Sequence, residues 1–202
     1  MNKQGNPAFP EGEAGEKMLL RMNKSHKTLR DWAFKYINWQ DNIKILDVGC
    51  GGGATIAHML QLSANSTIYG IDYSQKSVEA SSEYNKDYLN DRVFIKKADV
   101  TKLPFEDNTF DIITAVETIY FWPEVDKALA ELYRVLKKGA KLVNIVEASD
   151  PNALKLNGWP KIDGHFKVYT MQEYKDMFNK ACFKEIECFN DDRSYGCVIG
   201  VK

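Results

Sequence analysis

Apolar and polar residues follow two alternating patterns along this chain. Short apolar runs predict buried strands at residues 43–48, 66–72, 93–95, 110–115 and 141–146. Between most of these runs apolar residues recur at helical spacing. One such segment follows Pro123, and Gly139 is expected to end that helix. Strands that alternate with helices are typical of an α/β fold with a parallel central sheet.

The N-terminal part of the chain predicts helices without strands. Glycines and prolines among polar residues indicate a flexible tail over residues 1–14. Helical spacing follows over residues 14–37, and polar residues beginning at Asn23 interrupt it. We therefore expect a helical extension, in one or two pieces, ahead of the first strand.

The C-terminal part predicts a hairpin. After an irregular stretch over residues 147–168, Thr170 is expected to cap a helix. Runs at 183–189 and 195–201, joined by a polar turn, predict two antiparallel strands. The whole pattern indicates a Rossmann-like mixed sheet of seven strands flanked by helices, with an antiparallel last strand.

Composition narrows the range of functions. The 202 residues, 44% hydrophobic and 27% charged, predict one globular domain. A net charge of −1 without a basic block argues against nucleic acid as the main partner. No apolar run is long enough for a membrane span and no signal peptide is evident, so we expect a cytoplasmic protein. The four cysteines form no C-x-x-C pair, which predicts free thiols and no metal site.

The turn after the first predicted strand fits two cofactor patterns. Gly49-x-Gly51-x-x-Ala54 satisfies the dinucleotide fingerprint, which by itself is a weak signal. The same turn also follows an acid, Asp47, at the end of the strand. A carboxylate there would repel a pyrophosphate but attract the sulfonium and ammonium groups of S-adenosylmethionine. The charge therefore favours S-adenosylmethionine.

This strand, its acidic glycine turn and the following helix resemble the class I S-adenosylmethionine-dependent methyltransferases, in particular their small-molecule branch of type 11. The resemblance runs from Ile43 to Ile145. It implies that the turn holds the methionine end of the cofactor, with these candidate residues: Asp47, Gly49, Cys50, Gly51 and Gly53. It also implies one methyltransferase domain over residues 15–202, made of a helical lid (15–40), a cofactor-binding half (43–146) and a substrate loop with terminal hairpin (147–202).

Two further acids follow predicted strands. Asp72, with Tyr73 beside it, lies 23 positions after Gly49, where a carboxylate can accept both ribose hydroxyls. This position suits S-adenosylmethionine and NAD equally. The resemblance implies that Asp99 accepts a hydrogen bond from the adenine amine and that the Val100 amide donates to the ring. The segment from 103 to 111, L-P-F-x-D-x-x-F-D, is again similar to the methyltransferases.

The end of the fourth predicted strand is expected beside the transferred methyl group, because ligands of open α/β sheets bind at the carboxyl ends of strands. Glu117 and Tyr120 are candidate catalytic residues there, and Glu117 is also a candidate cofactor contact. His26 and His165 are further candidate bases. Core packing for the aromatic residues and a surface position for either histidine remain open alternatives.

Together these features predict an enzyme that moves a methyl group by in-line displacement to a small-molecule acceptor. Positioning supplies most of such catalysis, so a fixed catalytic triad is not required. The chain lacks the Asn/Asp-Pro-Pro-Tyr motif of amino-group methylases, the paired-glutamate loop of arginine methylases and a catechol-type metal triad. The alternatives are an NAD-dependent oxidoreductase and a non-catalytic protein that binds S-adenosylmethionine.

Overall fold

A computed structural model describes residues 6–151 and 164–202. Within these ranges the helices are α1 (Gly12–Ser25), α2 (Lys27–Ala33), α3 (Ala54–Leu62), α4 (Gln75–Tyr84), α5 (Val125–Val135) and α6 (Met171–Lys180). The strands are β1 (Lys44–Val48), β2 (Thr67–Asp72), β3 (Val93–Lys97), β4 (Phe110–Val116), β5 (Leu136–Val146), β6 (Lys184–Asn190) and β7 (Gly196–Val201). Short 3₁₀ turns occur at 34–36, 86–88 and 119–121.

The seven strands form one sheet in the order β3-β2-β1-β4-β5-β7-β6. Strands β1 to β5 pair in parallel, whereas β7 is antiparallel to both β5 and β6. The predicted mixed sheet with an antiparallel last strand is confirmed. Because β1 lies between β2 and β4, the strand order reverses there, and a ligand crevice is expected at the carboxyl ends of these three strands.

Helices cover both faces of the sheet, which explains why the central strands read as continuous apolar runs. Successive side chains of a strand point to opposite faces. Accordingly Leu46 packs in a core cluster with Leu132 of α5 and Phe178 of α6, whereas Ile45 packs in a second cluster with Ile56 of α3. These two cores hold β1 rigidly below the glycine turn.

The N-terminal helical extension breaks at His26, which ends α1 and precedes α2. This agrees with the predicted break near Asn23. The prediction of a flexible tail was wrong for residues 6–14. Helix α1 already begins at Gly12, and the segment before it packs on the domain. The Ser74 hydroxyl donates a 3.0 Å hydrogen bond to the Pro10 carbonyl, and the rings of Phe9 and Tyr73 lie 5.9 Å apart.

The predicted end of α5 was wrong. The helix stops at Val135, and Leu136 already adopts an extended conformation (φ −70°, ψ 142°) as the first residue of β5. Gly139 instead lies within β5 with φ +77°, where its amide donates to the carbonyl of Lys202. Backbone pairing with the end of the chain therefore draws residues 136–140 into the sheet.

The C-terminal predictions are confirmed. Thr170 caps α6 through a capping box, in which its hydroxyl accepts from the Glu173 amide and the Glu173 carboxylate accepts from the Thr170 amide. Strands β6 and β7 form the expected antiparallel pair. Of the helices in the described ranges, none has the length and apolar character that crossing a membrane requires.

Candidate cofactor and acceptor site

A cavity of about 500 Å³ lies at the carboxyl ends of β1, β2 and β4. This volume is typical of small-molecule sites. Its floor comes from the glycine turn and the strand ends, and its cover comes from the segment before α1 and from α1 itself. The cover residues are Asn6, Pro7, Ala8, Phe9, Pro10, Leu19 and Met22. The cavity thus lies where the topology predicts a ligand.

The glycine turn forms one wall of the cavity. Gly49 and Gly51 line it, with φ values of +71° and +49° that favour glycine. The amides of Gly49 and Cys50 both donate to the carbonyl of Ile71, which ties the turn to β2. A Cβ on Gly49 would lie only 2.2 Å from the Thr118 methyl carbon. The turn is therefore held between the ends of β2 and β4.

Asp72 combines a cavity position with firm orientation. Its two carboxylate oxygens accept hydrogen bonds from the amides of Gly51 (3.0 Å) and Ser74 (2.9 Å). A carboxylate oxygen can accept more than one hydrogen bond, so this side chain suits the hydroxyls of a ribose. Burial raises the pKa of this carboxyl above its usual value, against the effect of the amides. Tyr73 also lines the cavity, with its side chain largely exposed.

Asp99 and Val100 line the same cavity just beyond β3. Asp99 Oδ1 accepts from the amide and the hydroxyl of Thr101, both at 2.8 Å, and these bonds orient the side chain. Within the described residues its other oxygen accepts no hydrogen bond. An exposed, oriented acceptor beside a backbone amide has the chemistry that an adenine edge requires.

Asp47 is not among the residues that line the cavity. In the sheet it pairs with Thr114, whose hydroxyl donates to it at 2.7 Å, and the positive charge of Arg30 from α2 lies nearby. The side chain is 1% exposed, and burial raises its pKa to about 7. The sequence predicts direct attraction of the cofactor by this carboxylate, whereas the structure directs it into the α2 face of the sheet.

Two other turn candidates are also structural in position. Cys50 is buried, and burial raises the pKa of its thiol well above the usual value, so it packs as a small apolar side chain. Gly53 precedes α3 with φ +85°, and a Cβ there would lie 2.6 Å from the Asn85 amide nitrogen. Neither residue lines the cavity.

Glu117 stands at the opposite wall in a left-handed backbone conformation, φ +60°. Such a conformation is costly for a non-glycine residue and recurs at functional sites. Its Oε1 accepts hydrogen bonds from the Tyr120 hydroxyl (3.0 Å) and from the Glu147 amide. Burial, followed by the nearby charge of Glu147, raises the pKa of Glu117 to about 8.

Tyr120 lies beneath Glu117 and does not line the cavity. It is fully buried, and its hydroxyl also accepts from the Ala148 amide at 3.1 Å. The sequence left a site role and core packing open for this residue. In the structure Tyr120 packs in the core, and its hydroxyl also orients the Glu117 carboxyl group at the cavity.

The two histidines occupy different environments. His165 is exposed and lines the cavity. His26 does not line it, but its ring lies near the carboxylates of Glu117 and Glu147, with one ligand-type atom of each residue within 4.8 Å of the others. Burial, with the charges of Arg30 and Arg21, lowers the pKa of His26 to about 4. Trp159, another aromatic of the predicted substrate loop, lies outside the described residues.

Residues 46–144 match a family model described as a methyltransferase domain. This part of the chain belongs to the class I S-adenosylmethionine-dependent methyltransferase family. It is 35% identical over 130 residues to the demethylmenaquinone methyltransferase of Lactiplantibacillus plantarum, covering 63% of this chain and 54% of that one. It is 29% identical over 156 residues to the sterol 4-C-methyltransferase of Caenorhabditis elegans, covering 76% and 44%. The chain therefore spans about half the length of these curated relatives.

The solved structure of a SAM-dependent methyltransferase from Aquifex aeolicus superposes with a TM-score of 0.76 at 20% identity, over 92% of this chain and 97% of that one. The superposed part is much longer than the 99 residues that match the family model. The fold of the methyltransferase family therefore extends beyond residues 46–144.

Several residues at the cavity of this methyltransferase escaped the sequence analysis. Phe9 and Pro10 fall in the segment that composition assigns to a tail, and Thr118 has no motif around it. Asn23 of α1 donates from its side chain to the Gly52 carbonyl at 2.8 Å. Only contacts between distant segments reveal these positions, so the sequence carries no local signal for them.

Proposed function

We propose that this protein transfers the methyl group of S-adenosylmethionine to a small-molecule acceptor. The observation that carries the proposal is the convergence of Gly49, Asp72 and Asp99 on one cavity of about 500 Å³. Asp72 would hold the ribose hydroxyls, Asp99 and the Val100 amide would hold adenine, and the glycine turn would hold the methionine end.

The charge of the cavity supports this cofactor over a dinucleotide. Four acidic side chains line it, from Asp72, Asp99, Glu117 and Glu124, and the described lining contains no lysine or arginine. A pyrophosphate would meet repulsion from these acids without a basic side chain to offset it. A sulfonium and an ammonium group would be attracted. The field of the whole cavity thus replaces the role first assigned to Asp47 alone.

The protein residues mainly position the reactants. S-adenosylmethionine supplies a methyl group on a cationic sulfur, and its transfer to an in-line nucleophile leaves a neutral thioether. Orienting donor and acceptor can provide effective molarities on the order of 10⁵ M or more. Glu117 is the proposed contact at the transferred methyl, and Tyr120 would fix the orientation of its carboxyl group. His165 and His26 remain the candidates for taking a proton from the acceptor.

The acceptor is proposed to be partly apolar. The rings of Phe9, Phe121 and Trp122 line the cavity beside its carboxylates. The named relatives act on demethylmenaquinone and on a sterol, which supports an acceptor with apolar surface but does not choose one. A cytoplasmic location is part of the proposal, since the four cysteines are unpaired, as expected in a reducing compartment.

Two measurements test the function. In calorimetry, S-adenosylmethionine should bind and NAD should not. Binding of NAD alone would overturn the choice of cofactor. Incubation with radiolabelled S-adenosylmethionine, below its Kd, and a metabolite extract should then label a small molecule, and Asp72→Ala should reduce the label. Cofactor binding without any labelled product, in extracts that support a known methyltransferase, would indicate a non-catalytic binding protein.

A further inference from the structure

Three side chains of metal-ligand type meet beside the acceptor end of the cavity. They are His26 between α1 and α2, Glu117 after β4 and Glu147 after β5, and one ligand atom of each lies within 4.8 Å of the other two. Strands β4 and β5 are parallel neighbours, with Val116 paired to Ile145, so their carboxyl ends bring the two glutamates together. The junction between α1 and α2 adds the imidazole.

The hydrogen bonding of this cluster is incomplete. Glu117 is only 6% exposed, and its Oε1 is held by the Tyr120 hydroxyl and the Glu147 amide. Its Oε2 accepts no hydrogen bond from any described residue. In the same part of the chain, neither the Glu147 carboxylate nor the His26 ring has a hydrogen-bond partner. The second oxygen of Glu117, the Glu147 carboxyl group and the His26 ring are therefore all left able to bind a ligand.

We propose that His26, Glu117 and Glu147 bind one divalent cation. An imidazole nitrogen with two carboxylate oxygens is a donor set that suits Mn²⁺ or Zn²⁺. Ligand atoms about 2.0–2.2 Å from a shared ion lie up to about 4.4 Å apart. The three ligand atoms here, all within 4.8 Å of one another, are thus close enough for side-chain rotations to bring them to one ion while Glu117 stays anchored through Oε1.

The charges around the three side chains favour binding of a cation. Arg30 and Arg21 lie near His26 and oppose positive charge there. The charge of Glu147 helps to raise the pKa of Glu117, and a divalent cation would relieve the repulsion between the two ionised carboxylates. The cluster is therefore a site for a cation and not for an anion.

This inference rests on the proposed function and names the class of acceptor. Glu117 belongs both to the cluster and to the cavity wall, so an ion held by it would face the acceptor with open coordination positions. A hydroxyl bound to the ion would lose its proton to solvent more readily. The oxygen would then form its bond to the methyl carbon while the carbon–sulfur bond breaks and its electrons go to sulfur. The acceptor class is accordingly a hydroxylated small molecule.

The test is binding of Mn²⁺ to the full chain after treatment with a chelator, followed by electron paramagnetic resonance and calorimetry. The wild type should bind one ion, and Glu147→Gln should weaken that binding by about tenfold or more. Glu124→Gln, which removes a cavity carboxylate outside the cluster, should bind Mn²⁺ like the wild type. His26→Asn provides a second ligand variant if Glu147→Gln does not fold.

Calorimetry with S-adenosylmethionine on the same samples separates the two proposals. Failure of the wild type to bind Mn²⁺ or Zn²⁺ up to about 1 mM would overturn the metal site, as would equal Mn²⁺ affinity in Glu147→Gln. Retained cofactor binding in that case leaves the methyltransferase proposal standing. If the wild type does not bind S-adenosylmethionine, the proposed function is wrong, and with it the basis of the metal site.

Discussion

The side-chain amide of Asn23 donates a 2.8 Å hydrogen bond to the carbonyl oxygen of Gly52, which joins α1 to the glycine turn. The fit is close, because a Cβ on Gly52 would lie 2.5 Å from the Asn23 side-chain oxygen. Leu19 and Met22, on the same helix, cover the cavity. The N-terminal extension is therefore attached to the turn that carries the proposed cofactor contacts.

Removing this attachment should weaken cofactor binding. In Asn23→Ala the loss of one hydrogen bond is expected to cost about 0.5–1.5 kcal/mol, which corresponds to a severalfold higher Kd for S-adenosylmethionine in calorimetry. Lys24→Ala is the matched control, since Lys24 is the exposed neighbour on the same helix. Equal affinities in the two variants would show that α1 does not support the turn.

Asp72 should carry more of the binding energy. Asp72→Ala leaves ribose hydroxyls without their acceptor and should weaken S-adenosylmethionine by about 1–3 kcal/mol. The measurement is the Kd together with the thermal unfolding midpoint of the ligand-free protein, because the Gly51 and Ser74 amides also lose an acceptor. Asp87→Ala, an exposed acid on a nearby turn, should change neither quantity. An unchanged Kd in Asp72→Ala would remove this residue from the cofactor site.

The glycine turn offers a test of packing against conformational strain. Gly49 and Gly139 have similar φ values, +71° and +77°, but a Cβ meets Thr118 at 2.2 Å in the first case and nothing within 4 Å in the second. Gly139→Ala should destabilise the protein by about 1 kcal/mol through backbone strain alone. Gly49→Ala should cost clearly more and should also impair cofactor binding.

Urea denaturation at one pH gives both free energies of unfolding for this comparison. The double variant Gly49→Ala with Thr118→Gly removes the clash and should recover part of the loss. Similar destabilisation of Gly49→Ala and Gly139→Ala would mean that the Thr118 side chain moves aside at little cost. The close packing between the ends of β1 and β4 would then contribute little to stability.

Asp47 should make stability depend on pH in an unusual direction. Burial raises its folded pKa from 3.8 to about 7, partly offset by the Thr114 hydroxyl and the charge of Arg30, while Asp72 adds to the increase. Between these two values the folded state binds more protons than the unfolded state, so stability falls as pH rises. The contribution is fully present below about pH 4 and is lost by about pH 7, up to roughly 4 kcal/mol.

The check is the free energy of unfolding of the wild type and Asp47→Asn, measured in urea between pH 4 and pH 8. The wild type should lose stability relative to the variant across this interval, because asparagine does not titrate. Parallel profiles for the two proteins would contradict a raised pKa of Asp47.

Local pattern was sufficient for most of the fold. The strand runs between residues 43 and 146 have helices on both faces, and continuous burial makes such strands visible as apolar runs. The terminal hairpin was visible through two runs and a polar turn, although β7 is buried and β6 is largely exposed. The end of α5 was missed because Leu136 satisfies helical spacing, whereas its pairing with Phe110, together with the bonds of residues 139–140 to Lys202, places it in β5. That pairing is non-local and leaves no trace in the spacing.

What the sequence determined by itself is the set of strand ends and the residues that follow them, including Asp72, Asp99 and Glu117, because parallel strands must present these positions at one edge. Only the tertiary structure decided where each side chain points and what else reaches that edge. Strand register and the helix above turned Asp47 toward Thr114 and Arg30, and chain folding brought His26 to Glu117 and Glu147. Such placements depend on contacts between segments far apart in sequence, which no single stretch of residues encodes.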